Sequence, residues 1–127
     1  MKVLVYGQKN EYEECALLLS ALPVLQYRRM EFFHAEDYDS FIGLLPEMES
    51  EDPVVILTDG AEGMEGVLAA KRQSPALPVF WFSNDKGFGV QSHRLECTFF
   101  AVKPLTEQKM QAAIEAYQKE RIGGGEG

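Results

Sequence analysis

Asp52-Pro53-Val54-Val55-Ile56-Leu57-Thr58-Asp59-Gly60 is the stretch that decides the fold. Four consecutive apolar residues, three of them β-branched, stand between a proline and a polar turn. They read as a short strand buried on both faces, the pattern of central strands in parallel sheets. A carboxylate follows at once. In open α/β sheets ligands and chemistry gather beyond the carboxyl ends of the strands, so Asp59 stands where a functional acid would be placed. An Asp-Gly pair is equally an ordinary turn, so the segments on either side carry the weight.

The chain has 127 residues, enough for one domain whose core needs no disulfide or metal. Twenty acidic residues against 12 basic ones give a formal net charge of -8, a balance that repels nucleic acid and anionic membranes. Cys15 and Cys97 lie far apart, with no Cys-x-x-Cys or paired-His spacing, so no metal cage is supported and two reduced thiols are expected. Met1 and Lys2 lead straight into an apolar segment, leaving no room for a signal peptide. No apolar run approaches the roughly 18 residues of a membrane span. The expectation is a soluble, cytoplasmic protein with neither a membrane anchor nor direct nucleic-acid contact.

Outward from the central strand, the same unit repeats. Val3 to Tyr6 form a strand ended by Gly7. Asn10 and Glu13 make a capping-box pattern for a helix with an apolar stripe of Cys15, Leu18, Leu19 and Leu22, stopped by Pro23. A more polar strand is expected from Leu25 to Phe33, suited to a sheet edge. Asp37 then caps a helix whose stripe of Phe41, Leu44, Leu45 and Met48 is interrupted by Pro46, where a kink or early stop is predicted. Beyond Asp59 the chain opens at Gly60 into a stretch in which Glu62 and Glu65 read as solvated loop residues, and Met64, Val67 and Leu68 give a third helix that ends near Arg72 to Pro75. Pro78 to Phe82 make a fourth, central strand ending at Ser83, Asn84 and Asp85. Gly87 to Gly89 open a weak helix to about Leu95, and Thr98 to Val102 form a fifth strand ending in Lys103-Pro104. Thr106 caps the last helix, with Leu105 and Met110 as its staple and Lys119 and Arg121 in its last turn before Gly123 ends it. Residues 1–121 are thus one domain, and 122–127 a glycine-rich tail expected to fray. Five strands, each followed by a helix, predict a parallel sheet with helices on both faces.

Gly7-Gln8, Thr58-Asp59, Ser83 and Lys103 fall at strand ends that converge on one rim. An acid ending the third strand, Met64-Glu65-Gly66 beyond it, Ser83 ending the fourth and Lys103-Pro104 ending the fifth together resemble the receiver domain of two-component response regulators. The resemblance spans Lys2 to about Tyr117. The segment from Lys86 through Phe100 is similar to receivers that precede LytTR-type DNA-binding domains. It implies a flavodoxin-like (CheY-like) three-layer α/β sandwich with a five-stranded parallel sheet in the order 2-1-3-4-5. It further implies that Asp59 is the candidate phosphoacceptor, Ser83 the hydroxyl and Lys103 the amine that meet the phosphoryl group, and Phe100 the switch aromatic. Pro104 would follow a cis peptide bond, which proline alone makes accessible.

Two features depart from that pattern. Receivers end their first strand with adjacent carboxylates that hold magnesium, and here those positions read Gly7 and Gln8. Without anionic oxygens a hard cation should bind weakly, and phosphoryl transfer leans on that cation for charge neutralisation. Met64-Glu65-Gly66 also stands one residue nearer to Asp59 than is usual, so by count Thr58 could hold the acceptor position, although strand-end geometry favours Asp59. Asp59 and Lys103 could then simply pair across the sheet end.

The reading that follows is a pseudo-receiver: a non-enzymatic signal-transduction module acting through a protein partner, without efficient magnesium-dependent phosphorylation. The face of the fourth helix, fifth strand and fifth helix, with Phe88, His93 and Phe99, would serve for a partner or a homodimer. Two alternatives stand beside it. One is an ordinary receiver phosphorylated on Asp59 by a histidine kinase, with Glu62, Glu65 or Asp85 completing the metal site. The other is a small flavodoxin-like nucleotide or flavin binder, for which Gly7 to Asn10 make a poor phosphate cradle. His34 and His93, without spacing partners, read as structural or surface residues.

Overall fold

A computed structural model of the chain describes residues 1–26 and 28–126, with side chains as far as residue 121. Five strands, β1 (Lys2–Tyr6), β2 (Glu31–Ala35), β3 (Val54–Ile56), β4 (Val79–Ser83) and β5 (Phe99–Val102), form one parallel sheet in the order β2-β1-β3-β4-β5. The helices are α1 (Lys9–Ala21), α2 (Tyr38–Leu44), α3 (Gly60–Gln73), α4 (Gly89–Arg94) and α5 (Glu107–Glu126). This is the expected flavodoxin-like three-layer sandwich. No described helix is long and apolar enough to cross a membrane.

Alternation along the strands sends side chains to two cores. Val3, Val5, Val55, Leu57, Phe80 and Phe82 face α1 and α5, where Cys15, Leu19, Met110, Ile114 and Tyr117 meet them. Leu4, Tyr6, Val54, Ile56, Val79 and Trp81 face α2 and α3 and pack on Phe41, Val67 and Ala70. β1, β3 and β4, the three inner strands, are buried on both sides, and it is their apolar runs that the sequence displays most plainly.

Punctuation by proline holds as expected. Helix α1 stops two residues before Pro23, and α2 gives way to a 3-10 turn over Leu45–Glu47 that contains Pro46. Asp37 caps α2 by accepting from the Ser40 amide at 2.8 Å, a bond that lowers its carboxyl pKa. Thr106 receives the Lys109 amide at 3.1 Å at the start of α5.

Four boundaries differ. The cap of α1 is Gln8, extended and without a side-chain bond, so Asn10 and Glu13 lie inside the helix and make no capping box. Pro23–Leu25 form a 3-10 turn and the second strand starts only at Glu31, at the sheet edge as foreseen; residue 27, within the predicted strand, lies outside the described residues. Helix α3 already begins at Gly60, so Glu62 and Glu65, expected as loop residues, project from it. Backbone of α5 continues past Gly123 to Glu126, while the side chains of 122–126 and residue 127, on which the predicted tail depends, lie outside the described residues.

The glycines that suggested a loop serve close packing instead. A Cβ on Gly63 would come within 2.0 Å of the Thr58 carbonyl, and one on Gly66 within 3.0 Å of the Tyr6 ring. Helix α3 therefore lies directly against the end of β3, and Gly60, with a φ of 71°, makes the left-handed turn that carries the chain into it.

Candidate functional site

Beyond the carboxyl ends of the strands, Lys103 and Asp59 meet across the rim, while Thr58 and Ser83 make bonds of their own at neighbouring strand ends. Lys103 follows β5, and its Nζ donates to the Leu57 carbonyl at 2.5 Å. It also lies 3.0 Å from Asp59 Oδ1 and 2.5 Å from Glu11 Oε2. Three acceptors thus surround an amine whose side chain is only 14% exposed, against 26% for Glu11 and 41% for Asp59. The Lys103–Pro104 peptide is cis.

Asp59 occupies the N-cap position of α3 yet makes no capping bond with its side chain. The carboxylate turns outward across the rim instead, taking the Asn84 amide at 3.1 Å as well as Lys103. Thr58, the alternative acceptor by count, is turned the other way: its hydroxyl donates to the Tyr6 carbonyl at 3.3 Å. Ser83 is buried, and its Oγ accepts the Asp85 amide at 3.1 Å. That bond fixes the loop after β4 as an ST turn and leaves the hydroxyl proton free to donate.

Glu11 is the residue that the sequence did not single out. It lies in the first turn of α1, three positions beyond Gln8, and returns to the rim the negative charge that Gly7 and Gln8 lack. The available signal was its place in the chain: the first turn of a helix that starts at Lys9 lies beside the ends of the strands.

Gly7 itself is not merely a residue without a carboxylate. A Cβ there would stand 2.8 Å from the Leu57 Cβ, so a side chain at this strand end needs the backbone to move. Its amide donates to the Ala35 carbonyl at 3.0 Å, and its carbonyl lies 2.7 Å from His34 Nε2. The His34 ring stacks on Tyr12 with centroids 4.2 Å apart, a packing role for that imidazole. Gln8 is exposed and brings only a neutral amide. Magnesium, the cation that the resemblance implies, needs several hard oxygen ligands with anionic charge among them. Here Glu11 and Asp59 both face an ammonium, and no cluster of three or more His, Cys, Asp or Glu side chains that could hold a metal occurs among the described residues. These residues do not fit the ion.

Phe100, the predicted switch aromatic, stands on β5 with its ring edge-on to Trp81, centroids 5.5 Å apart, and covered by Gly89 at the start of α4. Trp81 is fully buried and also touches Phe88 at 5.2 Å, so Phe88 leans into the core instead of standing on the outer face. His93 and Val90 of α4 are exposed, and Phe99 is half-buried.

No family model and no curated protein sequence matches this chain. Solved structures share its fold. A CheY-like response regulator receiver domain from Methanospirillum hungatei JF-1 superposes with a TM-score of 0.73 at 14% identity, covering 99% of this chain and 98% of that one. A receiver domain from Clostridium thermocellum gives 0.72 at 16% identity over 95% and 97%. The CpaE2 pilus assembly protein of Sinorhizobium meliloti 1021 gives 0.69 at 18% identity over 92% and 99%. The likeness is one of fold along nearly the whole length of each partner.

Proposed function

From the receiver-domain fold as premise, we propose that this chain is a signal-transduction module of the two-component response regulator type that works as a pseudo-receiver. It regulates by protein–protein contact, is not an enzyme, and is not efficiently phosphorylated on Asp59. One observation carries this reading: the Lys103 ammonium is already matched by Glu11 and Asp59. An incoming phosphoryl group brings further negative charge to a rim with two carboxylates and one ammonium, and Gly7 and Gln8 offer no carboxylate for a cation that would offset it. With Lys103 held in this way, the rim stays in one arrangement that a partner can read. The surface for such a partner, or for a second copy, is the face of α4, β5 and α5, where Val90 and His93 are exposed.

The flavin alternative meets an electrostatic objection. The shallow depression beside the start of α1 is lined by Gln8, Lys9, Asn10, Glu13 and Glu36, and its two carboxylates oppose a ligand phosphate.

Incubation with acetyl phosphate and magnesium, followed by intact-mass measurement of wild type and Asp59→Asn, tests the proposal. No mass gain is expected in either. A gain of one phosphoryl group that depends on Asp59 would restore the ordinary receiver, the substrate of a histidine kinase. A rise in thermal stability on adding flavin mononucleotide would favour the binder instead.

A further inference from the structure

At the other end of the sheet, below the first residues of β1, β2 and β3, lies a pocket of about 280 Å³ lined by Met1, Arg28, Arg29, Glu51, Tyr117 and Arg121. Three of the five arginines of the chain face this one hollow. On a protein with 20 acidic and 12 basic side chains, guanidinium groups have carboxylates in excess to pair with. Yet among the described residues the lining holds a single acid, Glu51, which reaches Arg121 at 3.6 Å. Among the described residues, the Arg28 side chain has only the Met1 thioether at 4.0 Å, and the Arg29 side chain has no hydrogen bond or ion pair. Among the described residues, three guanidinium groups and the Met1 ammonium, which donates to the Arg29 carbonyl at 2.9 Å, against one carboxylate leave the pocket with an excess of positive charge.

The backbone on either side of the hollow is held in place, and so is one of the three guanidinium groups. Arg121 lies over the Tyr117 ring, 5.6 Å from its centroid, and the Tyr117 hydroxyl donates to the Glu51 carbonyl at 2.7 Å. The loop bearing Glu51 is tied down by Asp52, whose buried carboxylate accepts the Lys2 and Glu49 amides at 3.0 and 2.8 Å. The Arg28 amide donates to Leu25, and Glu31 pairs with the Met1 carbonyl, so the arginine segment is anchored on both sides. Planar, forked donors with excess positive charge, carried on an anchored backbone, match a tetrahedral oxyanion better than they match each other.

We propose that this basal pocket is a binding site for a small phosphorylated molecule, with Arg28, Arg29 and Arg121 as the phosphate ligands. The excess of positive charge suits the dianion of a phosphate monoester. The volume, at the lower end of small-ligand clefts, suits a compact metabolite. The overall charge of -8 opposes a nucleic acid, so the phosphate source is a small molecule. The pocket sits at the opposite end of the strands from Lys103, which makes the site independent of the rim and of its phosphorylation.

Titration with glycerol 3-phosphate, followed by calorimetry and by amide chemical shifts, tests this at ionic strength held constant with chloride. Saturable binding is expected, with shifts confined to residues 28–29, 51 and 117–121. Arg29→Gln should weaken it about tenfold or more, the loss of a charge-assisted contact. Without ligand, the same variant should unfold at the same or a higher temperature, because it relieves repulsion among the three cations. Shifts centred on residues 59, 83 and 103 would overturn the proposal. So would a response to succinate equal to that to the phosphate ester, an affinity untouched by Arg29→Gln, or the absence of saturable binding.

Discussion

Replacing Glu11 by glutamine keeps the shape of the side chain and removes its charge from the Lys103 ammonium. At 2.5 Å and an effective dielectric of about 20, the lost attraction is roughly 7 kcal/mol before solvation is counted. Most of that does not survive as stability. Glu11 is a quarter exposed, the amide oxygen still accepts a hydrogen bond, and Lys103 retains Asp59 and the Leu57 carbonyl. A net loss of about 1–2 kcal/mol remains, read as a lower urea midpoint at unchanged m-value. The sharper test is the sign of the effect after Lys103→Met. Then Glu11 and Asp59 face each other with no cation between them, and Glu11→Gln should be neutral or stabilising. The two substitutions should couple by about 1–3 kcal/mol in a double-mutant cycle, and by less in 1 M salt. Equal effects of Glu11→Gln in both backgrounds, within about 0.3 kcal/mol, would refute the reasoning.

Gly7→Ala should cost roughly 1–3 kcal/mol by the same unfolding assay, because its methyl group would overlap the Leu57 Cβ. Gly7→Asp should be no more stable and should not bring tight magnesium binding; a magnesium-dependent rise in its melting temperature would show that the strand end has room after all. Burial pushes the Cys15 and Cys97 thiols up to about 12 from an ordinary 9.0. At pH 8 the native thiolate fraction should therefore be about a thousandfold below that of a free thiol, and a disulfide reagent should label the protein fully only once it unfolds. Rapid labelling of the native chain would count against this packing. The sign for stability follows: folded thiols keep a proton that unfolded ones release, so this contribution is intact below pH 9 and declines as pH rises from there towards 12.

The parts of the fold legible in the sequence are those governed by local chemistry. Val54 to Leu57 and Val79 to Phe82 announce buried strands because both of their faces are covered. Pro23, Pro46, Asp37 and Thr106 mark helix ends because backbone bonding forces them to. The misreadings share a different cause, in that long-range packing decided the outcome. Gly60 to Gly66 look like loop by composition, but Gly63 and Gly66 are small so that α3 can lie on Thr58 and Tyr6. Asn10 and Glu13 have the spacing of a capping box, yet Gln8 is already extended at the helix entrance and the chain turns at Lys9. Arg28 and Arg29 suggested a polar edge strand, while they belong to the connection before it and face the basal pocket. At the rim, Asp59, Ser83 and Lys103 could be placed because each ends a strand. Glu11 could not, since its partner is 92 residues away in sequence and the link between them is purely spatial.

The location of that acid changes what the rim can do. A carboxylate at a strand end would be held by the sheet and could serve a cation and a phosphoryl group in turn. Glu11 hangs from the first turn of α1 by a longer side chain and reaches the same ammonium from the side. A phosphoryl group on Asp59 would compete with it for Lys103, so the free energy of the Glu11 contact is subtracted from whatever the modified state gains. At about 1–2 kcal/mol, the value expected from Glu11→Gln, this lowers the population of a switched state by roughly five- to thirtyfold before any effect of a cation is considered. Glu11→Gln should therefore ease any residual modification of Asp59 and not impede it. That direction is opposite to the one expected if Glu11 were a substitute metal ligand, because removal of a ligand would slow the transfer further.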